Sequence, residues 1–192
     1  MKQLAICTLF ILITLATIGQ KLNTCSIKRA YWTFDKSGSF LAVQLPGNAK
    51  VTERSNVVTI GNYALQYVIA DKKNYLKGLD DTTGLMPLIS YARSEGGYMS
   101  EQFNEKLNIE MSKAALPGGT ALIWSFDMPP SVSAEVKKQI FIDVVIGDKI
   151  FGLSSSQFVD QTYDEVEDFL IRIISSLKKV KDADELAGLC RK

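Results

Sequence analysis

Apolar and polar residues alternate with a two-residue period over Gln139–Ile146. One face of this segment carries Ile140, Ile142, Val144 and Ile146, and the other carries Phe141, Asp143 and Val145. Such alternation is typical of a β-strand, in which successive side chains point to opposite faces. Gly147-Asp148 then precedes a second apolar run, Ile150–Leu153. Because glycine adopts a positive φ without a Cβ clash, the pattern predicts a hairpin with a tight turn at Gly147.

The next apolar pattern has a helical period. Apolar residues recur with i, i+3, i+4, i+7 spacing at Val166, Phe169, Leu170, Ile173, Ile174 and Leu177. Thr162 precedes Glu165 by three residues, which is the spacing of an N-terminal capping box. The pattern predicts an amphipathic helix that covers one face of a sheet. We expect the rest of the chain to fold around the hairpin and helix of Gln139–Leu177.

The apolar pattern upstream predicts further strands. Residues 40–45 and 49–53 predict short strands, and residues 31–34 predict a short edge strand or an aromatic plug. Residues 56–60 and 63–70, on either side of Gly61-Asn62, predict a hairpin or one long bent strand, and 109–116 with 121–128 predict a second hairpin. Glycine and proline at the turns favour this interpretation, because neither continues a strand easily.

Helical spacing over 85–93 predicts a helix that Gly96-Gly97 ends, with Ser100 capping another helix. The order of strands, helix, strands and helix favours an α+β fold with a mainly antiparallel sheet. We predict a flexible leader over 20–30, a single α+β domain over 31–181 and a C-terminal tail over 182–192.

The N-terminus has the pattern of a signal peptide. Lys2 precedes an almost unbroken apolar run from Leu4 to Ile18, and small residues then allow cleavage between Gly19 and Gln20. This predicts a signal peptide over 1–19 and export to the periplasm or beyond the cell. An uncleaved membrane anchor is the alternative, although the run is short for a spanning helix.

Cysteine usage favours an oxidising compartment. After loss of the signal peptide, Cys25 and Cys190 remain, near the two ends of the chain. An even pair in an exported protein is a disulfide candidate. Two alternatives stay open: a lipid anchor at Cys25, for which the preceding residues are a poor signal, or two free thiols.

The composition excludes several classes of function. The net charge of +1 gives no argument for binding nucleic acid, and a hydrophobic fraction of 46% is enough for a core. The chain contains no histidine, which removes the Ser-His-Asp and Cys-His systems and histidine metal sites. We find no phosphate-binding loop, dinucleotide fingerprint or EF-hand spacing. We therefore expect no cofactor and no metal site.

Carboxylates are the remaining catalytic candidates, and we assign no catalytic residue. Asp143 has apolar neighbours, and burial would raise its pKa and make it a site candidate. We favour the interpretation that its face of the hairpin is exposed, because antiparallel sheets often have one solvated face. Asp80-Asp81 lie in a turn-rich segment, where adjacent side chains rarely converge on one substrate atom. Ser154–Ser156 lack the spacing of a nucleophile elbow.

Two groups of residues admit a binding role beside a structural one. Six aromatic residues are candidates for a ligand groove, although core and rim positions are commoner for such residues: Tyr31, Trp32, Tyr63, Tyr67, Tyr91 and Tyr98. The acidic start of the predicted helix, Asp164–Asp168, admits a cation or partner site. We favour the interpretation that these charges suit the helix dipole.

Two segments resemble the PsbP/DcrB-like superfamily. Phe40–Leu45 is an apolar strand that ends at Pro46, and the hairpin at Gly147-Asp148 is followed by a helix ending in Ile174-Ser175-Ser176-Leu177-Lys178. The resemblance covers roughly residues 38–180. It implies an αβα sandwich with a mainly antiparallel sheet and a C-terminal amphipathic helix packed on it. It implies little about activity, because members serve as adaptors, accessory subunits and envelope proteins.

Two classes of function remain. The first is an exported, non-enzymatic binding or accessory protein of the cell envelope or secreted space, with an unidentified protein or small-molecule partner. The second is a carboxylate-dependent hydrolase, for example one that acts on a glycan. A hydrolase predicts two acids facing each other across a cleft, whereas a binding module predicts an apolar or aromatic patch. The absence of histidine favours the first, and the absence of an Asn-x-Ser/Thr sequon fits a bacterial protein.

Overall fold

The computed structural model describes residues 20–26, 28–36, 39–76 and 84–191. The predicted signal peptide and the Asp80-Asp81 pair lie outside these residues. The described strands are β1 (Gln20–Ser26), β2 (Arg29–Lys36), β3 (Ser39–Leu45), β4 (Lys50–Val51), β5 (Val57–Ile60), β6 (Tyr63–Asp71), β7 (Glu110–Leu116), β8 (Gly119–Asp127), β9 (Val136–Ile146), β10 (Lys149–Phe158) and β11 (Lys178–Val180). The helices are α1 (Leu85–Phe103), α2 (Tyr163–Ile174) and α3 (Ala183–Arg191), and a 3₁₀ turn covers Lys72–Tyr75.

The strands form two antiparallel sheets. The larger has seven strands in the order β4-β5-β6-β10-β9-β8-β7, and the smaller has four in the order β1-β2-β3-β11. The three predicted hairpins are present, and their turns contain Gly61, Gly118 and Gly147 at φ values of 57°, 92° and 65°. Glycine reaches this left-handed region without the Cβ clash that other residues meet, which explains these turn positions.

Both faces of the seven-stranded sheet are covered. On one face, α1 packs over Leu122, Trp124 and Ile150. On the other, α2 and the four-stranded sheet share a core with Ile142 and Phe151. Adjacent residues of one strand, such as Ile150 and Phe151, thus enter different cores, as the pleat of a strand requires. The predicted α+β fold is confirmed, and the four-stranded sheet on the α2 side is an addition to it.

The predicted amphipathic helix is α2. Thr162 Oγ1 accepts from the Glu165 N–H at 3.3 Å, while Glu165 Oε2 accepts from the Thr162 N–H at 2.8 Å, so the capping box is complete. The apolar stripe is buried from Val166 to Ile174, and Leu177 is half-buried beyond the end of the helix. Each buried side chain of this size contributes roughly 1.5–3 kcal/mol of transfer free energy, most of which offsets ordering entropy.

The helix predicted over 85–93 extends further than the sequence indicated. α1 is one helix that continues through Gly96-Gly97 and ends at Phe103. Asn104 follows it in a left-handed conformation with φ 51°. Ser100 does not cap a second helix, since its hydroxyl donates to the Gly96 carbonyl oxygen within α1. Glycine costs a helix only about 1 kcal/mol, and tertiary packing offsets that cost. A Cβ at Gly96 would lie 2.7 Å from Ile109 Cδ1, so glycine here lets the two segments approach.

The two ends of the chain differ from the predicted leader and tail. Residues 20–26 form β1 and pair with β2, and residues 183–191 form α3. Cys25 and Cys190 are disulfide-bonded with their Cα atoms 5.1 Å apart. The Arg29 guanidinium adds a hydrogen bond to the Cys190 carbonyl oxygen at 3.3 Å. β1 is an edge strand with no alternating apolar pattern. The short apolar stripe of α3, formed by Leu186, Leu189 and Cys190, is only partly buried against a small core.

No helix in the described part of the chain is long and apolar enough to cross a membrane.

Replacement of Gly97 by alanine tests the continuity of α1. A Cβ there meets no atom within 4 Å. We expect the free energy of unfolding to rise by about 0.5–1 kcal/mol, because alanine loses less backbone entropy in a helix. Gly96→Ala is the matched variant and should gain less, since its Cβ must displace Ile109. Urea unfolding followed by circular dichroism measures both, and a loss of stability in Gly97→Ala would contradict a continuous helix.

Candidate functional site

An open groove runs along α2. Its main part has a volume of about 490 Å³ and is bounded by α2, the end of β3 with the loop after it, and the β5–β6 turn. The side chains around it are Lys28, Gln44, Leu45, Pro46, Asn48, Ile60, Tyr63, Phe169, Arg172, Ile173 and Ser176, and Gly61 completes the lining. We call this surface the α2 groove.

A second cavity extends the α2 groove toward the start of the helix. It has a volume of about 350 Å³, and it shares Gly61 and Tyr63 with the main part. Asp160, Gln161 and Glu165 form its other side. The two cavities therefore meet at the β5–β6 turn, where Gly61 and Tyr63 line both.

The sequence of α2 explains how this helix supplies one wall. Glu165, Phe169 and Arg172 are spaced at i, i+4 and i+7, so they follow one side of α2, and Ser176 lies just beyond the end of the helix. This side borders the buried stripe, which holds the helix in place. The opposite wall depends on the tight turn at Gly61, after which Tyr63 stacks on Phe169 with ring centroids 4.0 Å apart and planes 10° apart. The groove thus has an aromatic pair where its two parts meet.

The charges of the α2 groove are separated along its length. Lys28 and Arg172 line the main part, and Asp160 and Glu165 line the extension. Hydrogen bonds from the backbone N–H and hydroxyl of Thr162 hold the pKa of Glu165 below its usual value. The carboxylate therefore stays negative while it caps the helix. One end of the groove attracts anions and the other attracts cations.

The wall between β3 and α2 is held by hydrogen bonds. The Gln44 N–H donates to Ser176 Oγ at 2.7 Å, and the Ser176 hydroxyl donates to the Ile173 carbonyl oxygen at 2.6 Å. The Tyr31 hydroxyl donates to Gln44 Oε1 at 3.3 Å. The Gln44–Ser176 bond joins the four-stranded sheet to the residues just after α2, and the Tyr31–Gln44 bond links β2 to β3.

Asp143 lies on the other face of the seven-stranded sheet, and its expected exposure is wrong. Its side chain is 1% exposed, because α1 covers the face that we took to be solvated. Asp143 Oδ2 accepts a hydrogen bond from Trp124 Nε1–H at 2.6 Å. Burial raises the pKa of Asp143 to about 8, the Trp124 bond opposes this shift, and the negative charge of Glu95 adds to it.

Two residues of α1 interact electrostatically with this buried acid. Tyr91 and Glu95 are four residues apart, so they share one side of the helix. Burial raises the pKa of Glu95, and burial together with the charges of Asp143 and Glu95 raises the pKa of Tyr91 well above its usual value. A Cβ at position 152 would overlap Asp143 Oδ1, so Gly152 makes room for the carboxyl group. The acid is enclosed by packing and borders neither part of the α2 groove.

The other sequence candidates are mostly structural. Ser154, Ser155 and Ser156 are buried in β10, and the Ser156 hydroxyl donates to Gln139 Oε1 at 2.8 Å. Among the six aromatic candidates, Tyr63 lines the groove, Tyr98 is 39% exposed on α1, and the remaining four are buried: Tyr31, Trp32, Tyr67 and Tyr91. Within the acidic start of α2, Glu165 caps the helix and borders the groove.

Most residues of the α2 groove have no signal in the sequence that would mark them as neighbours. Lys28, Gln44, Asn48 and Arg172 come from separate elements, and no local pattern relates them. The one available signal was the side of α2 next to its apolar stripe, where Arg172 follows Glu165 by seven residues. In the described part of the chain there is no cluster of three or more acidic or cysteine residues that could hold a metal ion.

Comparisons with known proteins show similarity in structure and none in sequence. No protein-family model matches the chain, and a search of curated proteins finds no match. Among solved structures, the chain is similar to the solution structure of cyanobacterial PsbP (CyanoP) from Synechocystis sp. PCC 6803. The identity is 11% and the TM-score is 0.42, over 86% of this chain and 94% of that chain. The similarity concerns the fold alone.

Replacement of Asp143 by asparagine should alter the pH dependence of stability. The folded protein retains a proton on Asp143 that the unfolded chain loses near an ordinary pKa of 3.8. The stability that this raised pKa contributes is therefore fully present below pH 3.8, and it is lost as the pH rises through about 8. Asp143→Asn keeps an acceptor for Trp124 and cannot ionise, so its unfolding free energy should fall less over this range.

Urea unfolding at several pH values between about 4 and 9 measures this difference, because the slope reports the protons bound by each state. Asp168→Asn is the control, since Asp168 is exposed on α2. If the unfolding free energy of Asp143→Asn changes with pH as steeply as that of the wild-type protein, Asp143 is ionised in the folded protein at neutral pH.

Proposed function

We propose that this protein is an exported, non-enzymatic binding or accessory module that holds its partner in the α2 groove. The groove itself carries this proposal. It is open to solvent, it is stiffened by hydrogen bonds between β3 and α2, and it offers an aromatic pair with charged groups on both sides. Such a surface suits recognition, because apolar contact provides affinity and placed polar groups provide orientation.

The arrangement of carboxylates favours binding over hydrolysis. A glycan hydrolase needs two acids on opposite sides of the bond that it cleaves. The acid with the most altered pKa, Asp143, is 1% exposed and lies beneath α1. In the groove extension, Glu165 is already hydrogen-bonded to Thr162, and the lowering of its pKa is the opposite of what a general acid needs. The groove therefore supports a partner site better than a hydrolytic one.

Two observations support export. The predicted signal peptide precedes β1 directly, and the Cys25–Cys190 disulfide joins β1 to α3. Disulfides persist in oxidising compartments such as the bacterial periplasm and the extracellular space. These two features together support the proposed periplasmic or secreted location.

The intact mass of the protein from its native host tests export. We expect a chain that begins at Gln20 and gains the mass of two hydrogens on reduction, because the Cys25–Cys190 bond opens. Mass spectrometry with and without reductant measures both features. A mass that retains residues 1–19, or one that begins at a lipid-modified Cys25, would contradict a free module and would indicate a membrane-anchored protein.

Asn48→Phe tests the groove as a binding surface. Asn48 is exposed and lines the main part of the groove, so a phenyl ring there should fill part of the space. The probe is 8-anilinonaphthalene-1-sulfonate, whose aromatic rings and sulfonate suit Tyr63, Phe169 and the cationic end. We expect the variant to weaken probe binding about tenfold, equivalent to about 1.4 kcal/mol.

Fluorescence titration measures the dissociation constant of the probe. Asn108→Phe is the matched control, because Asn108 is also exposed and does not line the groove. Equal weakening by both variants, or by neither, would show that the probe binds elsewhere and would count against the proposal.

A further inference from the structure

The terminal helix α3 lies on the four-stranded sheet with little buried surface. None of its residues is buried, and Leu186 and Leu189 are only partly covered where they meet the sheet. The Arg29 guanidinium adds a hydrogen bond to the Cys190 carbonyl oxygen at 3.3 Å. A surface helix is stabilised mainly by the burial of an apolar face, and here that burial is small. The attachment of α3 therefore depends on the disulfide between Cys190 and Cys25.

The sequence of α3 makes it a weak helix on its own. It spans nine residues, which is shorter than the roughly 12–15 residues that an isolated helix needs in water. Gly188 lies in its interior, and glycine disfavours the helical state because it loses more backbone entropy than other residues. The hydrogen bond from the Glu185 N–H to Asp182 Oδ1 caps the helix locally and does not join it to the sheet. Once detached, α3 therefore loses its helical structure.

The strand on the other side of the disulfide is held independently. β1 pairs with β2 as an antiparallel strand. In addition, Asn23 Nδ2 donates to Thr33 Oγ1 at 3.2 Å, and the Thr33 hydroxyl donates to the Lys21 carbonyl oxygen at 3.1 Å. These bonds connect β1 to β2 without the disulfide. Opening of the disulfide therefore frees α3 and leaves β1 in place.

The helix α3 covers a small core of its own. Among the described residues, the two large cores contain neither a residue of α3 nor either cysteine. Beneath α3 lie Tyr31, Ala42 and Val180, which are 2%, 0% and 0% exposed. Tyr31 and Trp32 are neighbours in β2 and point to opposite faces, so Trp32 stays in the core shared with α2. Removal of α3 thus uncovers the small core and leaves the two large cores intact.

We propose that the Cys25–Cys190 disulfide is a redox latch, which a dithiol reductant opens to release α3 from a domain that stays folded. Both cysteines are partly exposed, so a thiolate of the reductant reaches the disulfide. This thiolate attacks one sulfur, the S–S bond breaks, and the other cysteine leaves as a thiolate. The second thiol of the reductant then displaces the first cysteine from the mixed disulfide.

The exchange transfers two electrons to the protein. Both cysteines end as thiols, and the reductant is oxidised to a disulfide. The latch stays closed in an oxidising compartment and opens where such a reductant is present. In the open state the outer face of the four-stranded sheet presents Tyr31, Ala42 and Val180 to solvent. The latch is independent of what the α2 groove binds.

The test uses the purified, oxidised protein, with dithiothreitol as the dithiol. Hydrogen exchange followed by mass spectrometry measures the local opening of each segment. On reduction, we expect amide exchange in residues 183–191 to become at least about tenfold faster, because the detached helix loses its hydrogen bonds. Exchange in α2, β9 and β10 should stay slow, because these elements contribute to the large core.

The variant Cys25→Ser/Cys190→Ser separates loss of the bond from other effects of the reductant. It should show fast exchange in residues 183–191 without dithiothreitol, and dithiothreitol should change this exchange no further. Hydroxyl-radical footprinting of the variant measures the uncovered face. We expect oxidation of Tyr31 to rise several-fold over wild type, while Trp32, which is 1% exposed, stays protected as the internal control.

The possible outcomes decide whether the disulfide acts as a latch. Slow exchange in residues 183–191 after reduction would show that noncovalent contacts hold α3 by themselves, which overturns the proposal. Faster exchange in α2, β9 and β10 as well would show that the bond supports the whole fold, which also overturns it. If α3 exchanges fast while Tyr31 stays protected, the helix frays in place and the proposed release is wrong. Fast exchange confined to residues 183–191, together with an exposed Tyr31, supports the latch.

Discussion

The packing of α2 against the seven-stranded sheet is the contact on which the other parts of the structure depend. Its apolar stripe, from Val166 to Ile174, enters the same core as Trp32 and Phe34 of the smaller sheet and Phe151 of the larger one. One helix thus covers part of one sheet and joins it to the other. The complete capping box at Thr162 and Glu165 defines where this helix begins. It also leaves a carboxylate at the start of the groove.

The two faces of the seven-stranded sheet have different roles. Beneath α1 the sheet encloses Asp143, which accepts a hydrogen bond from Trp124 and packs closely against Gly152. A buried carboxyl group in such surroundings favours its neutral form, because a charge would lose its hydration without gaining a counterion. On the α2 side, the helix and the smaller sheet leave an open groove between them. The carboxyl group of Asp143 is therefore enclosed on one face, and polar side chains are exposed in an open groove on the other.

The segments at the two described ends of the chain have weak local patterns, and contacts with other elements order them. β1 gains its order from hydrogen bonds with β2, and α3 is joined to β1 by the Cys25–Cys190 disulfide. Tyr31, Ala42 and Val180 form a small core beneath this closure. A bond between residues so distant in sequence restricts the unfolded chain more than the folded one, which favours the native arrangement.

The sequence by itself determined the elements whose signals are local. The apolar period of α2 and the turn glycines at 61, 118 and 147 follow from spacing and residue type, because periodic burial and positive φ favour particular residues along the chain. The sequence makes Cys25 and Cys190 a disulfide candidate beside two alternatives, and the structure pairs them. Tertiary structure alone decided that α1 continues through Gly96-Gly97 and that Asp143 is buried. It also decided which residues from separate elements meet in the α2 groove. These features depend on what packs against each face, and a polar residue such as Asp143 has the same local pattern whether water or α1 covers it.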